Sequence, residues 1–304
     1  MAASTEARWT ARGWYRLSGA GNDFLAAPVD GDDPDLPPPS LVRAWCRRGL
    51  GLGADGLFTL RRAADGDRAV PTVTMVHANP DGGRSDLCLN GSRCAVRLAR
   101  ALGWFDPARP AVLRTDAGAL DVVPGAGPSD DPHAVALTLP PSLVAQPSIA
   151  ARALRVGDAT HPVDHLTVGV PHVVRWWHEA DDGPLAAAPL AQIGPPLRRH
   201  PDLGAAGANV HLVRVDAADR IAVRSFERGV EMETLACGTG VVAAVLAGTA
   251  AGRLTLPTRA RVASDVELVV ARAPGDRLVL AGDARIVAEV RPRPDGVRRA
   301  AGDV

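Results

Sequence analysis

With 304 residues the chain is long enough for two domains with cores of their own, and its 34 basic and 34 acidic residues cancel, which excludes a general attraction to nucleic acid or an anionic membrane surface. All the basic residues are arginine, so pyridoxal phosphate chemistry, which needs a lysine for its Schiff base, is excluded too. Four cysteines (Cys46, Cys88, Cys94 and Cys237) are too sparse for a disulfide framework and lack zinc-site spacing; with no apolar run of signal-peptide or membrane-span length, free thiols in the cytoplasm are expected.

In chain order, residues 1–13 are expected to be a flexible leader. Strands over 14–17 and 24–29 flank Ser18-Gly-Ala-Gly-Asn22-Asp23, whose glycines permit a tight turn presenting Asn22. A Pro/Asp loop leads to Ser40, the expected N-cap of a helix ending at Gly49. Gly51-Leu-Gly53-Ala-Asp-Gly56 has dinucleotide-loop spacing, but a helix precedes it and a strand follows. That fingerprint needs the reverse order, so no dinucleotide site is expected. A turn at 65–68 and a strand at 70–77 deliver Asn79. A helix over 92–102 places Arg93, Arg97 and Arg100 on one face and Cys94, Leu98 and Leu102 on the other, which makes Cys94 a core residue. Strands at 111–115, 119–123 and 134–139 follow, and Pro140-Pro141 marks a domain crossing.

The second half runs in a similar order. Strands near Leu154 and at 165–168 reach Gly169-Val-Pro-His172, and a strand at 173–177 and a helix within 185–196 come next. Strand 208–215 carries Asn209, strand 221–226 brings up Glu227, and a small-residue apolar helix follows Cys237. Strands at 259–262, 266–271, 278–280 and 284–290 close the sheet. The expected division is an N-terminal half of 14–137 with 282–292, a C-terminal half of 138–281, and a flexible tail of 293–304.

The two halves echo each other. Asn79-Pro-Asp-Gly-Gly-Arg-Ser-Asp-Leu-Cys88-Leu-Asn-Gly91 and Glu227-Arg-Gly-Val-Glu-Met-Glu-Thr-Leu-Ala-Cys237-Gly-Thr-Gly240 each set a polar residue upstream of a cysteine that opens a helix. Cys88 and Cys237 lie 149 positions apart, Asn79 and Glu227 lie 148 apart, and so do Gly21 and Gly169. A near-constant offset of that size indicates a duplicated domain. Unpaired N–H groups at a helix start favour thiolate, drawing the thiol below the ~8.5 of a free cysteine, and they can also cradle a carboxylate. A small buried apolar role is the alternative for Cys237. Two facing thiols suit proton removal from the α-carbon of an amino acid on one face and return on the other, with Glu227 and His172 setting their protonation.

The segments Gly-Ala-Gly-Asn22-Asp-Phe, Gly-Ala-Asp-Gly-Leu, Asn79-x-Asp-Gly with Cys88-x-Asn90-Gly-x-Arg-Cys94, Gly-x-Pro-His172, Ala-Asn209-Val and Glu227-Arg228-Gly with Ala-Cys237-Gly-Thr-Gly resemble the diaminopimelate epimerase family, in that family's order. The resemblance implies an α/β fold of the α+β type: two pseudo-symmetric domains, each a curled, mostly antiparallel sheet around a central helix. It implies cofactor-free interconversion of LL- and meso-diaminopimelate, in lysine and peptidoglycan synthesis, by a homodimer. By position, Cys88 and Cys237 are the acid/base pair, while the main chain or side chains of Leu89, Asn90, Gly91, Gly238 and Thr239 meet the reacting carboxylate. Asn22, Asn79, Asn209, Glu227 and Arg228 hold the substrate, Arg228 through a bidentate fork on its distal carboxylate. Three residues depart from the family: Leu89 for a usual glycine, crowding the pocket; Val170 for asparagine, losing a polar contact; and Arg84 for an acidic residue. They leave another amino-acid racemase as the alternative. A thiol redox protein would favour Cys-x-x-Cys, a Cys-His hydrolase would leave the second thiol surplus, and a non-catalytic binding module would show no turnover.

Overall fold

The computed structural model describes residues 5–31, 35–63, 70–144 and 148–293, and the chain divides into two units. The expected turn at 65–68 and the tail beyond Arg293 lie outside the described residues.

Unit 1 comprises residues 1–127, 131–137 and 283–304. It opens with a helix, α1 (Thr5–Ala11), followed by β1 (Trp14–Gly19), β2 (Asn22–Pro28), α2 (Pro39–Cys46), β3 (Gly56–Arg62), β4 (Thr72–Ala78), β5 (Arg84–Ser85), α3 (Leu89–Ala101), β6 (Ala111–Thr115), β7 (Gly118–Val122) and β8 (Ala134–Thr138), which ends at the unit boundary. The flexible leader expected over 1–13 gives way to α1 from Thr5 on. Trp9 is fully buried against Trp14, and the Trp14 indole N–H donates to the Trp9 carbonyl. Burying the indole works against the entropic cost of ordering the helix. The N-cap expected at Ser40 falls two residues earlier, at Pro38, with Pro39 in the first turn, where a missing N–H costs nothing, and the helix stops at Cys46 rather than Gly49.

Unit 2 comprises residues 128–130 and 138–282. Its elements are α4 (Pro141–Val144), β9 (Ala150–Val156), β10 (Ala159–Val168), β11 (Val170–Trp176), α5 (Glu179–Asp182), α6 (Leu190–Arg198), β12 (Asn209–Ala217), β13 (Arg220–Glu227), β14 (Met232–Thr234), α7 (Gly238–Ala250), β15 (Thr258–Arg261), β16 (Glu267–Ala273) and β17 (Arg277–Asp283). The chain then returns to unit 1 as β18 (Arg285–Val290), antiparallel to β1.

The strand pairing makes the duplication explicit. In unit 1, β1–β2 is antiparallel, β2–β3 parallel, β3–β4 and β4–β5 antiparallel, β4–β6 parallel and β6–β7 antiparallel. In unit 2 the series β10–β11, β11–β12, β12–β13, β13–β14, β13–β15 and β15–β16 repeats those senses one for one. Gly21 and Gly169, 148 positions apart, occupy equivalent turns with φ of 100° and 70°, where a Cβ would be strained. Each sheet wraps a thirteen-residue helix. α3 packs against β1, β2, β3, β4, β6 and β18, and α7 against β10, β11, β12 and β16. A helix enclosed on all sides must be apolar all round, and α7 is, with Val241, Val242, Ala243, Ala244, Val245 and Ala247 buried. The result is a mixed α/β fold with mostly antiparallel sheets and a central helix in each unit.

Candidate active site

The first cluster sits where α3 begins. Cys88 is the N-cap of the helix in extended backbone, φ −136° and ψ 107°, and its Sγ accepts the Gly91 N–H at 3.4 Å. This is the serine or threonine capping geometry carried out by sulfur. Asn90 and Gly91 follow within the first turn, and Leu89 is buried. The Asn90 amide donates to Asn22 Oδ1 at 2.7 Å, and the Asn22 amide donates to Asp55 at 3.1 Å, so the β1–β2 turn and the helix start are tied by side chains. Arg48 binds Asp55 at 2.6 Å and Asp23 at 2.5 Å, with Arg16 on the other oxygen of Asp23. Burial would raise the Asp23 carboxyl, but Arg48, with Arg16 behind it, holds it below the ordinary range. Asn79 is exposed at the turn after β4, its main chain bonded to Gly83 at 2.8 Å.

The arginine face expected on this helix is corrected at its first member. Arg93 is fully buried, and its guanidinium donates to Asn90 Oδ1 at 2.8 Å. Burial lowers its pKa, while the neighbouring Cys94, Cys88 and Asp283 pull the other way. An arginine stays charged even so, which puts a fixed cation close to Cys88. Cys94 is core, as its helical position implies, and burial raises its thiol strongly.

The second cluster sits where α7 begins. Cys237 is again the N-cap, φ −124° and ψ 103°, within about 12° of its counterpart in both angles, and is followed by Gly238 and Thr239, whose hydroxyl lies 3.7 Å from Sγ. The helix start was expected to lower this thiol. The reverse holds: burial first, then the charge of Glu227 and a hydrogen bond to it, raise Cys237 well above an ordinary cysteine, and Thr239 and the Gly240 N–H only partly offset them. Glu227 ends β13 and accepts from the Thr234 hydroxyl of β14. The next residue donates its main-chain N–H to Asn209 Oδ1 at 2.7 Å, which fixes the Glu227-Arg228 corner onto the first residue of β12. Among the described residues the half-buried Arg228 guanidinium forms no ion pair.

Behind Cys237 runs a buried relay that sequence reading missed beyond His172. His172 Nε2 lies 3.2 Å from the Val168 carbonyl, which can only accept, so that nitrogen carries the proton. Its Nδ1 therefore accepts from His211 Nε2 at 2.9 Å, and His211 Nδ1 accepts from the Ser225 hydroxyl at 2.9 Å. Both imidazoles are fully enclosed and neutral. Burial brings His172 down to about 4, aided by the charge of Arg228, and brings His211 well below its ordinary value. The signal for His211 and Ser225 was slight: a polar residue at a doubly covered position of a strand, between Val210 and Leu212 or between Arg224 and Phe226. Asp55 lay within a quoted motif, with no charge pattern to single it out.

Arg84, one of the departures, forks onto Asp116 at 2.5 and 2.7 Å. Val170 opens β11 and is half-buried, paired with Val168 across the turn.

A family model described as diaminopimelate epimerase matches residues 165–287. A diaminopimelate epimerase of Gemmatimonas aurantiaca is 35% identical over 76% of this chain and 76% of its own length, and one of Chlorobaculum tepidum is 33% identical over 89% and 97%. Among solved structures, a probable proline racemase from Agrobacterium radiobacter matches with a TM-score of 0.65 at 18% identity, covering 93% of each chain, and a Bacillus anthracis phenazine biosynthesis protein of the PhzF family with 0.63 at 14%, covering 92% and 98%. These two likenesses establish the shared fold.

Proposed function

This chain belongs to the diaminopimelate epimerase family and is an isomerase, and from that premise we propose that it interconverts LL- and meso-diaminopimelate without a cofactor, using Cys88 and Cys237 as a base and acid that exchange roles with direction. The observation that carries the proposal is the repetition of one device: in each unit a cysteine caps the central helix in nearly the same backbone conformation. A capping sulfur stands beside the first free N–H groups of its helix, so a carboxylate bound there meets donors where enolate charge develops.

The two thiols are poised differently. Cys237, enclosed and bonded to Glu227, rests as the thiol and serves as the acid. Cys88 accepts a main-chain N–H and lies near the Arg93 charge, which suits a thiolate base. After transfer their protonation is reversed, and the return reaction uses the other base. Each proton transfer is worth roughly 100-fold to 10,000-fold. Arg228, with no acidic partner among the described residues, supports a role in gripping the distal carboxylate, and Asn22, Asn79 and Asn209 supply polar anchors. Homodimer assembly and a cytoplasmic location belong to the same proposal. Among the described residues no helix is long and apolar enough to cross a membrane.

The test is epimerisation in deuterated water. LL-diaminopimelate should acquire deuterium at the α-carbon, and Cys88→Ala and Cys237→Ala should each lose at least about 100-fold in turnover while keeping the native circular dichroism. Near-normal turnover in either variant refutes the two-thiol reading. Faster exchange into glutamate, histidine, lysine or proline would move the substrate to the alternative racemase.

A further inference from the structure

We propose that His172, His211 and Cys237 form a binding site for a thiophilic divalent cation such as zinc, which when loaded sequesters the Cys237 sulfur. One ligand atom from each residue lies within 4.8 Å of the other two, and all three residues are buried. Their order along the chain hides the site from a search for zinc spacing, because the ligands come from β11, β12 and the cap of α7.

The stronger argument is the shell behind them. A metal-bound histidine almost always donates its other ring N–H to a carbonyl, carboxylate or similar acceptor, which fixes the tautomer and the ring. His172 already does so through Nε2 and Val168 at 3.2 Å, leaving Nδ1 as the lone-pair nitrogen. His211 has the Ser225 hydroxyl against Nδ1 at 2.9 Å, and a hydroxyl can accept as readily as donate. Moving the His211 proton from Nε2 to Nδ1 therefore frees Nε2 and keeps the Nδ1–Ser225 contact with its direction reversed, at the cost of the acceptor that the Ser225 hydroxyl proton now has. The facing nitrogens are 2.9 Å apart around a shared proton. Tetrahedral zinc with bonds of about 2.0–2.1 Å to nitrogen needs roughly 3.3–3.4 Å, an opening of about 0.4–0.5 Å. Gly240 limits how the imidazole can shift: a Cβ there would stand 2.1 Å from His211 Cε1, so the ring already rests on the helix backbone.

The balance is simple. Cys237 loses its thiol proton and forms the sulfur–metal bond, the His211 proton changes nitrogen, the Ser225 hydroxyl turns from donor to acceptor, and one proton leaves per cation. Glu227, bonded to the Cys237 thiol, supplies a further negative charge at the site. Binding itself is independent of the proposed reaction; only the loss of turnover rests on it.

The probe is the metal alone, added to the full-length protein. Zinc should bind at one equivalent with release of about one proton, and cobalt should give the intense visible bands of a tetrahedral thiolate site. Zinc should also block alkylation of Cys237, with a chelator restoring it. Ser225→Ala, which removes the group behind a ligand, should weaken binding about 10-fold to 100-fold, and His211→Asn, which removes a ligand, by more than that. Cys88→Ala should bind as the wild type does. Undiminished binding in both His211→Asn and Ser225→Ala, loss of binding in Cys88→Ala, or a cobalt spectrum without thiolate character would overturn the site. Protection of Cys237 with unchanged turnover would leave the site standing and refute the catalytic role of Cys237.

Discussion

Glu227→Gln tests whether the carboxylate beside Cys237 keeps that thiol protonated. Burial comes first among the causes that raise Cys237, and the Glu227 charge comes second. The amide is the same size as the carboxylate, so burial is unchanged and only the charge is removed. Two like charges about 4 Å apart interact by about 4 kcal/mol at an effective dielectric of about 20, a ceiling that the Thr234 hydroxyl on the same carboxylate reduces. A third of that, about 1.4 kcal/mol, is tenfold in thiolate population. Because the thiol lies well above an ordinary cysteine, the thiolate is scarce at pH 8 and the alkylation rate follows its population. In a Cys88→Ala background, Cys237 in Glu227→Gln should react with iodoacetamide about tenfold faster at pH 8. Cys46, raised to about 12 by burial and then by Asp23 and Asp55, stays silent, as does the enclosed Cys94. An unchanged or slower rate would refute the electrostatic argument and leave burial as the sole cause.

Gly240→Ala drives a methyl to 2.1 Å from the His211 ring, inside a fully packed core, and should cost about 1–3 kcal/mol in urea unfolding; a neutral substitution would show that the ring is free to move. His77 is brought from 6.5 to about 4 by burial alone, so its contribution is intact above pH 6.5 and is lost as pH falls towards 4, by about 3 kcal/mol; His77→Leu should flatten the acid limb of the stability profile, and an unaltered limb would refute it. Val170→Asn, which restores an amide at the start of β11, should lower KM for diaminopimelate about 3-fold to 10-fold with little change in kcat, the worth of one hydrogen bond, whereas an unchanged KM would remove residue 170 from the substrate.

The duplication was legible because it is a matter of spacing. Glycines at equivalent turns and cysteines at equivalent caps keep their offset whatever the intervening side chains do, and the strand order follows from them. The caps were legible for the same reason. What the sequence does not announce is burial of polar groups. The sequence places arginines at 93, 97 and 100 on one side of a helix, and only a sheet closing over the start of α3 encloses the first of them. Trp9 was read as leader because its partner Trp14, which in turn packs on Trp45, belongs to another element. The sign of the Cys237 shift escaped for a related reason: helix N–H groups are local and visible in a motif, but desolvation depends on the whole unit. His211 and Ser225 are single polar residues inside apolar strands, and nothing in a period of two tells a satisfied relay from an ordinary buried side chain.

The three departures from the family pattern do not weigh equally once their surroundings are known. The Arg84 fork is taken up by Asp116, so this residue is engaged in a half-exposed ion pair of unit 1 whatever it replaces. Leu89 is buried, and a residue at the first position of a helix still presents its N–H forward, so the donor expected of it survives the change from glycine. Val170 differs in kind, because the resemblance implies asparagine where this chain has hydrocarbon at the start of β11, two residues from His172 and opposite Val168, whose carbonyl holds the His172 ring. Under the proposed function, an apolar residue there offers nothing to a second carboxylate or ammonium on the substrate, and a site with one polar partner fewer discriminates less sharply between substrates that carry such a group and those that do not. Of the three departures, Val170 is therefore the one that bears on the proposed substrate. Arg228 is left as the group proposed for its distal carboxylate, and Val170→Asn measures what an amide beside it adds.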